Sequence, residues 1–126
     1  MSADLQIAVS QEQGRVPVTV LSANGEIGAH NYQQLQDQAN EAIAAGATDL
    51  LLDLTHVSYM SSAGLRAVHA IYKKLEGQPE MVGNVPKAAH FKLLNPPEAV
   101  LKVIKALGFD MFLEIYADLA EAVASF

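Results

Sequence analysis

The chain has 126 residues, 51% of them hydrophobic, and a formal net charge of −6 with only 8 lysines and arginines. This length predicts one domain with one core, and the few basic residues exclude a nucleic-acid binder that relies on a clustered positive surface. The charge also gives little attraction to anionic membranes. Because the chain has no cysteine, disulfides and thiolate metal sites are excluded.

The N-terminal segment, MSADLQIAVSQ, has no basic region followed by a long apolar stretch, so it predicts no signal peptide. The apolar runs are far shorter than the ~18 residues that cross a bilayer. We therefore expect a soluble, cytoplasmic protein whose single domain spans residues 1–126.

The first third of the chain predicts a hairpin followed by a helix. Apolar and polar residues alternate over about residues 4–23, which indicates two strands joined by a turn at Gly14. Asn24-Gly25 is typical of a further turn. From Ala29 the apolar residues recur at helical spacing, and Gly46 ends the predicted helix.

The middle of the chain predicts a buried strand and an amphipathic helix. Residues 49–54, DLLLDL, are a nearly continuous apolar run that fits a strand covered on both faces. After Ser61 and Ser62, apolar residues recur at helical spacing as far as Leu75. Gly77 to Ala89 contains two glycines and two prolines, which predicts a loop.

The last third predicts two more strands and two more helices. Residues 90–95, HFKLLN, indicate a strand, and a helix follows with Pro97 as its first residue and Gly108 at its end. Residues 111–115, MFLEI, predict a short strand. The closing helix is marked by the apolar residues Tyr116, Leu119 and Val123.

The predicted order is therefore β-β-α-β-α-β-α-β-α. Strands that alternate with helices imply parallel crossovers, while the first hairpin adds an antiparallel pair. We predict an α/β domain with a mixed four- to five-stranded sheet and about four helices.

Two adjacent serines, Ser61 and Ser62, stand between the buried strand and the amphipathic helix. Ser62 is a candidate N-cap, a role that contributes ~1 kcal/mol to helix stability. Alternatively, the pair could hold a nucleophile or accept a phosphate group. A phosphate at a helix start would meet free backbone N–H groups and the positive end of the helix dipole.

A serine hydrolase is poorly supported by the residues around Ser62. A nucleophile elbow requires Gly-x-Ser-x-Gly and a histidine oriented by a carboxylate, but Met60 stands two residues before Ser62. Solvated or half-packed side chains are predicted for all four histidines: His30, His56, His69 and His90. His56 is the nearest in sequence, and a separation of more than one water from Ser62 would exclude it as the base. We predict no catalytic residue, metal site or cofactor.

Residues 53–65, DLTHVSYMSSAGL, resemble the STAS domain, and more specifically the small bacterial anti-sigma factor antagonists. The similar features are a strand ending in Asp53-Leu54, an aromatic Tyr59 in the following linker, and the turn at residues 61–65 that opens a helix. Residues 23–35 and 101–126 resemble further segments of the family, so the resemblance covers almost the whole chain.

The resemblance implies a regulatory function. In the family, the unphosphorylated antagonist binds an anti-sigma factor, which is itself a serine kinase that uses ATP, and thereby frees the sigma factor. Phosphorylation of the serine at the helix start separates the pair, and a phosphatase reverses the modification. On this sequence the phosphoacceptor falls on Ser62, with Ser61 as the second candidate.

The resemblance also places the docking surface around the serine helix. Its candidate residues are Tyr59, Met60, Ser61, Ser62, Ala63, Gly64, Leu65 and Arg66. Met60 and Leu65 could belong either to this surface or to the core. Gly64 would let a partner approach the backbone closely, and Asp53 is expected to accept hydrogen bonds from loop N–H groups near the serines.

Two positions depart from the family pattern, and both remove a carboxylate. Ser61 stands where the family has an aspartate before the phosphoserine. Gly28 stands where the family has the aspartate of a Gly-x-Leu-Asp segment. A second function therefore stays open: a STAS adaptor, or a ligand-sensing subunit of a signalling or transport assembly, that is not phosphorylated.

Overall fold

The computed structural model describes residues 5–77 and 87–126 of the chain. Its strands are β1 (Gln6–Gln13), β2 (Pro17–Ile27), β3 (Leu50–Met60), β4 (Phe91–Leu94) and β5 (Ile115–Tyr116). Its helices are α1 (Tyr32–Ala44), α2 (Ser62–Glu76), α3 (Glu98–Ala106) and α4 (Leu119–Ala124), with a 3₁₀ turn at Phe109–Met111. The predicted order of strands and helices is confirmed.

The five strands form one sheet in sequence order, β1-β2-β3-β4-β5. β1 pairs with β2 antiparallel, and every later pair is parallel. The predicted mixed sheet is therefore confirmed, because each parallel pair is joined by a helical crossover while the first pair is joined by a tight turn.

Apolar layers lie on both faces of the sheet. The larger layer contains buried residues of α1, α2 and α3, packed on alternate residues of β3 such as Leu50 and Leu52. The smaller layer contains Leu51 of β3 and is covered by Ala122 and Val123 of α4. This two-sided burial explains the continuous apolar run in β3.

The turn predicted at Asn24-Gly25 is wrong, because β2 continues through these residues to Ile27. The pairing of β2 with β3 shifts register between Ser22 and Asn24 and again after Gly25, whose φ is 122°. A glycine with positive φ suits a β-bulge as well as a turn, and here the continuing parallel partner decides between them. The strand predicted at residues 49–54 is likewise longer than expected. β3 continues past Leu54 to Met60, through the linker that the sequence predicts around Tyr59.

The strand predicted at residues 111–115 is also wrong in its extent. Gly108 adopts the left-handed conformation with φ 78°, and the 3₁₀ turn follows it. The strand that pairs with β4 is only Ile115–Tyr116, so Tyr116 lies in β5 rather than in the closing helix. Short apolar runs fit a strand or a buried turn equally well.

Pro97 is the N-cap of α3, whereas the sequence predicts it as the first residue of that helix. Most of the predicted loop at 77–89 lies outside the described residues.

Lys92 is a buried cation on the sheet face that α4 covers, with 3% of its surface exposed. Its Nζ donates to the Ser125 carbonyl oxygen at 2.9 Å and to the Ser125 Oγ at 3.0 Å. The same Nζ lies 4.9 Å from the centroid of the Phe126 ring and 3.6 Å from the Glu114 carboxylate. These contacts attach the C-terminal segment to β4.

His90 and Asp49 form a polar pair at the edge of the sheet where β3 and β4 begin. The His90 Nδ1 lies 2.8 Å from the Asp49 carboxylate, and the backbone N–H of His90 donates to Glu76. The hydrogen bond to Asp49 is the main cause that raises the pKa of His90 above its ordinary value. The protonated imidazole is therefore favoured by folding.

Replacing His90 with glutamine should produce a stability difference that depends on pH. A raised folded-state pKa stabilises the native state fully below the unfolded value of about 6.5, and this stabilisation is lost as pH rises through the folded value. Because half of the imidazole is exposed, we expect the free energies of unfolding of wild type and His90→Gln to differ by at most ~1 kcal/mol. Urea unfolding of wild type and His90→Gln at pH 5.5, 7.0 and 8.5 should show a gap that narrows with pH; a widening gap would contradict this assignment.

Candidate functional site

The two serines lie at the carboxyl ends of β2 and β3, where Ile27 pairs with Met60. The Ser61 N–H donates to the Ile27 carbonyl at 3.0 Å. This bond brings the turn before α1 next to the turn before α2. The carboxyl edge of parallel strands is where α/β proteins commonly assemble their sites.

Ser61, not Ser62, caps helix α2. Ser61 has extended backbone (φ −86°, ψ 171°), and its Oγ accepts a hydrogen bond from the Gly64 N–H at 3.3 Å. The predicted cap at Ser62 is therefore wrong by one residue, because β3 continues to Met60 and the chain turns at Ser61. Ser62 is the first residue of the helix, and its side chain is exposed.

The predicted docking residues divide into an exposed set and a buried set. Tyr59, Ser62 and Arg66 are exposed, with Tyr59 at 53%, and Ser61 and Ala63 are partly exposed. Met60 and Leu65 are each 1% exposed and belong to the larger apolar layer. The alternative left open for these two residues is thus decided in favour of the core, so their side chains are not available to a partner.

Gly64 is buried as well, and it serves the packing of α2 on β2. A Cβ at this position would lie 2.9 Å from the Ile27 carbonyl oxygen and 2.9 Å from the Met60 Cγ. The close approach that glycine permits is therefore filled by strand backbone from the same chain. The predicted use of Gly64, as a place where a partner meets the helix backbone, does not hold.

Asp53 lies far from the serines. Its carboxylate accepts from the Thr55 N–H at 3.0 Å and from the Ser22 hydroxyl at 3.3 Å, so it links β3 to β2. The extended residues between Asp53 and Ser61 span on the order of 25 Å. Its predicted role beside the serine turn is therefore wrong.

His56 is also too distant to act on Ser62. It lies within β3, six residues before Ser62, which corresponds to roughly 20 Å of extended chain. A general base must reach its target directly or through one water. The hydrolase hypothesis with His56 as the base is excluded by this separation.

The histidine that does lie beside the serine turn is His30. A Cβ built on Gly28 would be 3.5 Å from the Ser61 Oγ and 3.6 Å from the His30 Nδ1, so the hydroxyl and the imidazole border the same space. His30 was predicted only as a solvated or half-packed side chain. Its position two residues after Gly28, in a segment similar to the family's, was the one signal that could have indicated this proximity.

Within residues 5–77 and 87–126, no group of three or more histidine, aspartate or glutamate side chains is placed to hold a metal ion. Across the same ranges, no helix has the length and apolar character that a membrane crossing needs.

Comparisons with known proteins agree over nearly the whole chain. The family model described as STAS domain matches residues 8–122. The anti-sigma-F factor antagonist RsfB of Mycobacterium tuberculosis is 26% identical over 119 residues, which cover 94% of this chain and 87% of that protein.

Two solved structures show the same fold. The crystal structure of an anti-sigma factor antagonist from Mycobacterium paratuberculosis has a TM-score of 0.79 at 25% identity, covering 99% of this chain and 97% of that one. The Bacillus cell fate determinant SpoIIAA in its phosphorylated form has a TM-score of 0.61 at 26% identity, covering 92% and 96%.

Proposed function

Because the chain belongs to the STAS domain family, we propose that it is an anti-sigma factor antagonist that is switched by phosphorylation of Ser62. Its partner would be an anti-sigma factor with serine kinase activity, and a phosphatase would restore the free hydroxyl. The exposed part of the docking surface would consist of Tyr59, Ser61, Ser62, Ala63 and Arg66. This role would place the protein in the cytoplasm and would require no catalysis by the chain itself.

The observation that carries the proposal is that the two serines have different structural roles. Ser61 makes the helix cap, while Ser62 stands exposed at the first position of α2. A kinase could therefore modify Ser62 without removing the cap. One of the relatives named above was solved in a phosphorylated form, which supports the proposal of a phosphorylation switch.

A phosphate on Ser62 would act on the interface more than on the fold. The first-turn N–H groups and the positive helix end favour an anion at this position. The group adds about −1.5 to −2 charges to a surface that a partner must desolvate on binding. The expected consequence is dissociation of the partner from an otherwise intact protein.

The test is phosphorylation by the anti-sigma kinase encoded in the same genome, with ATP, followed by phosphopeptide mass spectrometry. We expect one phosphate on Ser62, its loss in Ser62→Ala, and its retention in Ser61→Ala. If wild type stays unmodified while the kinase phosphorylates another substrate, the proposal fails. An unphosphorylated STAS adaptor or ligand-sensing subunit would then be the remaining hypothesis.

Ser62→Asp should weaken binding to the anti-sigma factor by about tenfold to a hundredfold, because a carboxylate would be buried against the partner without a matching charge. Isothermal titration calorimetry measures the change, and the melting temperature should stay within a few degrees of wild type. Ser10→Asp is the matched control, since it adds the same charge at an exposed position of β1. Equal affinities for wild type and Ser62→Asp would contradict the switch.

A further inference from the structure

β1 is the outer strand of the sheet on the side opposite β5. In the described part of the chain no strand pairs with its free edge, and seven of its eight residues are exposed. Edge strands commonly avoid pairing with other chains through lysines, prolines, bulges or short length. Residues 6–13, QIAVSQEQ, contain no lysine, arginine or proline, and their pairing with β2 has no bulge. The free edge of β1 is therefore open to a further strand.

The space beside this edge would accommodate side chains of an added strand. Val9, which is 46% exposed, and Gln11 border a notch of about 330 Å³. The notch lies on the sheet face that α1 covers, because Val9 pairs with Leu21, a member of the larger apolar layer. Its other wall consists of small residues at the end of α1 and just after it: Ala42, Ala45, Gly46 and Ala47. A strand placed along β1 would direct alternate side chains toward this notch.

We propose that β1 pairs antiparallel with β1 of a second copy of this chain, about a twofold axis at Val9. In this register Val9 faces Val9 of the second copy, so two exposed valines cover each other. Glu12, the only charged residue of β1, faces the uncharged amide of Gln6. A shift by one residue would instead place Glu12 against Ile7 or Leu5, both apolar. The sequence of the strand is therefore complementary to itself in the register centred on Val9.

This pairing would stop at two copies. A twofold interface uses the free edge of β1 in both copies, and the edges that remain are formed by β5, which has only two residues. Antiparallel pairing also reverses the direction of all strands in the second copy, so the two serine turns lie at opposite ends of the dimer. The dimer therefore forms independently of any modification of Ser62. Because one strand pair is a small interface, its dissociation constant lies in the micromolar range or above.

Analytical ultracentrifugation of the full chain, from low micromolar to near-millimolar concentration, tests the association. The weight-average mass of wild type should rise from the monomer value toward the dimer value. Val9→Lys should remain monomeric, because two ammonium groups would face each other across the axis. Ala106→Lys is the matched control, since it adds the same charge at an exposed position of α3 and should associate like wild type.

A cysteine pair tests the register, since the chain has no cysteine of its own. Residues directly opposite each other in an antiparallel pair have Cα atoms about 4.5–5.5 Å apart, a separation that a disulfide can span. Val9→Cys should therefore form a disulfide-linked dimer about tenfold faster under mild oxidation than Ser10→Cys, whose two copies do not face each other. Both positions are exposed on the same strand, so random collisions affect them equally.

Wild type that remains monomeric at every concentration would overturn the inference, even if β1 then binds an extended segment of another protein. Association that persists in Val9→Lys, or equal crosslinking through both cysteines, would mean that the copies meet at another surface and would overturn it as well. None of these outcomes depends on whether a kinase modifies Ser62.

Discussion

Replacing Gly64 with valine should lower the free energy of unfolding by about 3 kcal/mol, the upper part of the range for overpacked cores. The Cβ alone would lie 2.9 Å from the Ile27 carbonyl oxygen, and the branched methyl groups would add further overlaps. Strand backbone cannot move aside as a flexible side chain can, so α2 must shift away from β2. Urea unfolding of the purified variant measures the loss.

Ala63→Val is the matched control, because it adds valine to the same turn of α2 at a partly exposed position. Its cost in helix propensity is less than ~1 kcal/mol, whereas Gly64→Val has no such cost because glycine is a poorer helix former than valine. A Gly64→Val protein that is no less stable than Ala63→Val would show that β2 does not press on the helix at this point.

Replacing Lys92 with alanine should cost about 3 kcal/mol, because it leaves a cavity under α4 and removes two hydrogen bonds to Ser125. The side chain also loses its contact with the Phe126 ring. The effect should be local as well as global. Hydrogen exchange of the backbone amides of residues 122–125 should quicken by at least tenfold in mass-spectrometric or NMR measurements.

Lys92→Met separates packing from charge, since methionine fills most of the same volume without the ammonium group. We expect a smaller loss of about 1 kcal/mol, because the Ser125 Oγ keeps its bond to the Ala122 carbonyl and Glu114 is partly exposed to water. Equal losses for alanine and methionine would mean that the ammonium group, rather than the packing of the stem, accounts for the stability.

The order of the elements could be predicted because each had a local signal. The alternation in the first hairpin, the apolar run at 49–54 and the helical spacing after the serines each reflect burial that repeats within a few residues. The ends of the strands were less predictable. β2 and β3 pair with each other as far as Ile27 and Met60, and this pairing makes both strands longer than predicted. The residues of one strand do not indicate which strand will pair with it.

Pairing between distant strands also explains why the sequence predictions for the candidate site were partly wrong. Ser61 becomes the cap because β3 continues to Met60, the residue directly before it. That end of β3 depends on the pairing with β2. The nearness of His30 to Ser61 likewise results from the bond between Ile27 and Ser61, which joins segments far apart in sequence. Residue spacing predicts which side chains share a helix face, but it does not report contacts that the sheet creates.

The order in which the chain is synthesised delays the packing of α4 on the sheet. A Cβ on Gly14 would lie 2.7 Å from the Val123 carbonyl oxygen, so the first hairpin touches the last helix. Synthesis runs from the N-terminus, and the ribosome releases β3 and α2 well before α4. The apolar face around Val18 and Leu51 therefore stays uncovered until α4 has been synthesised and can pack on it.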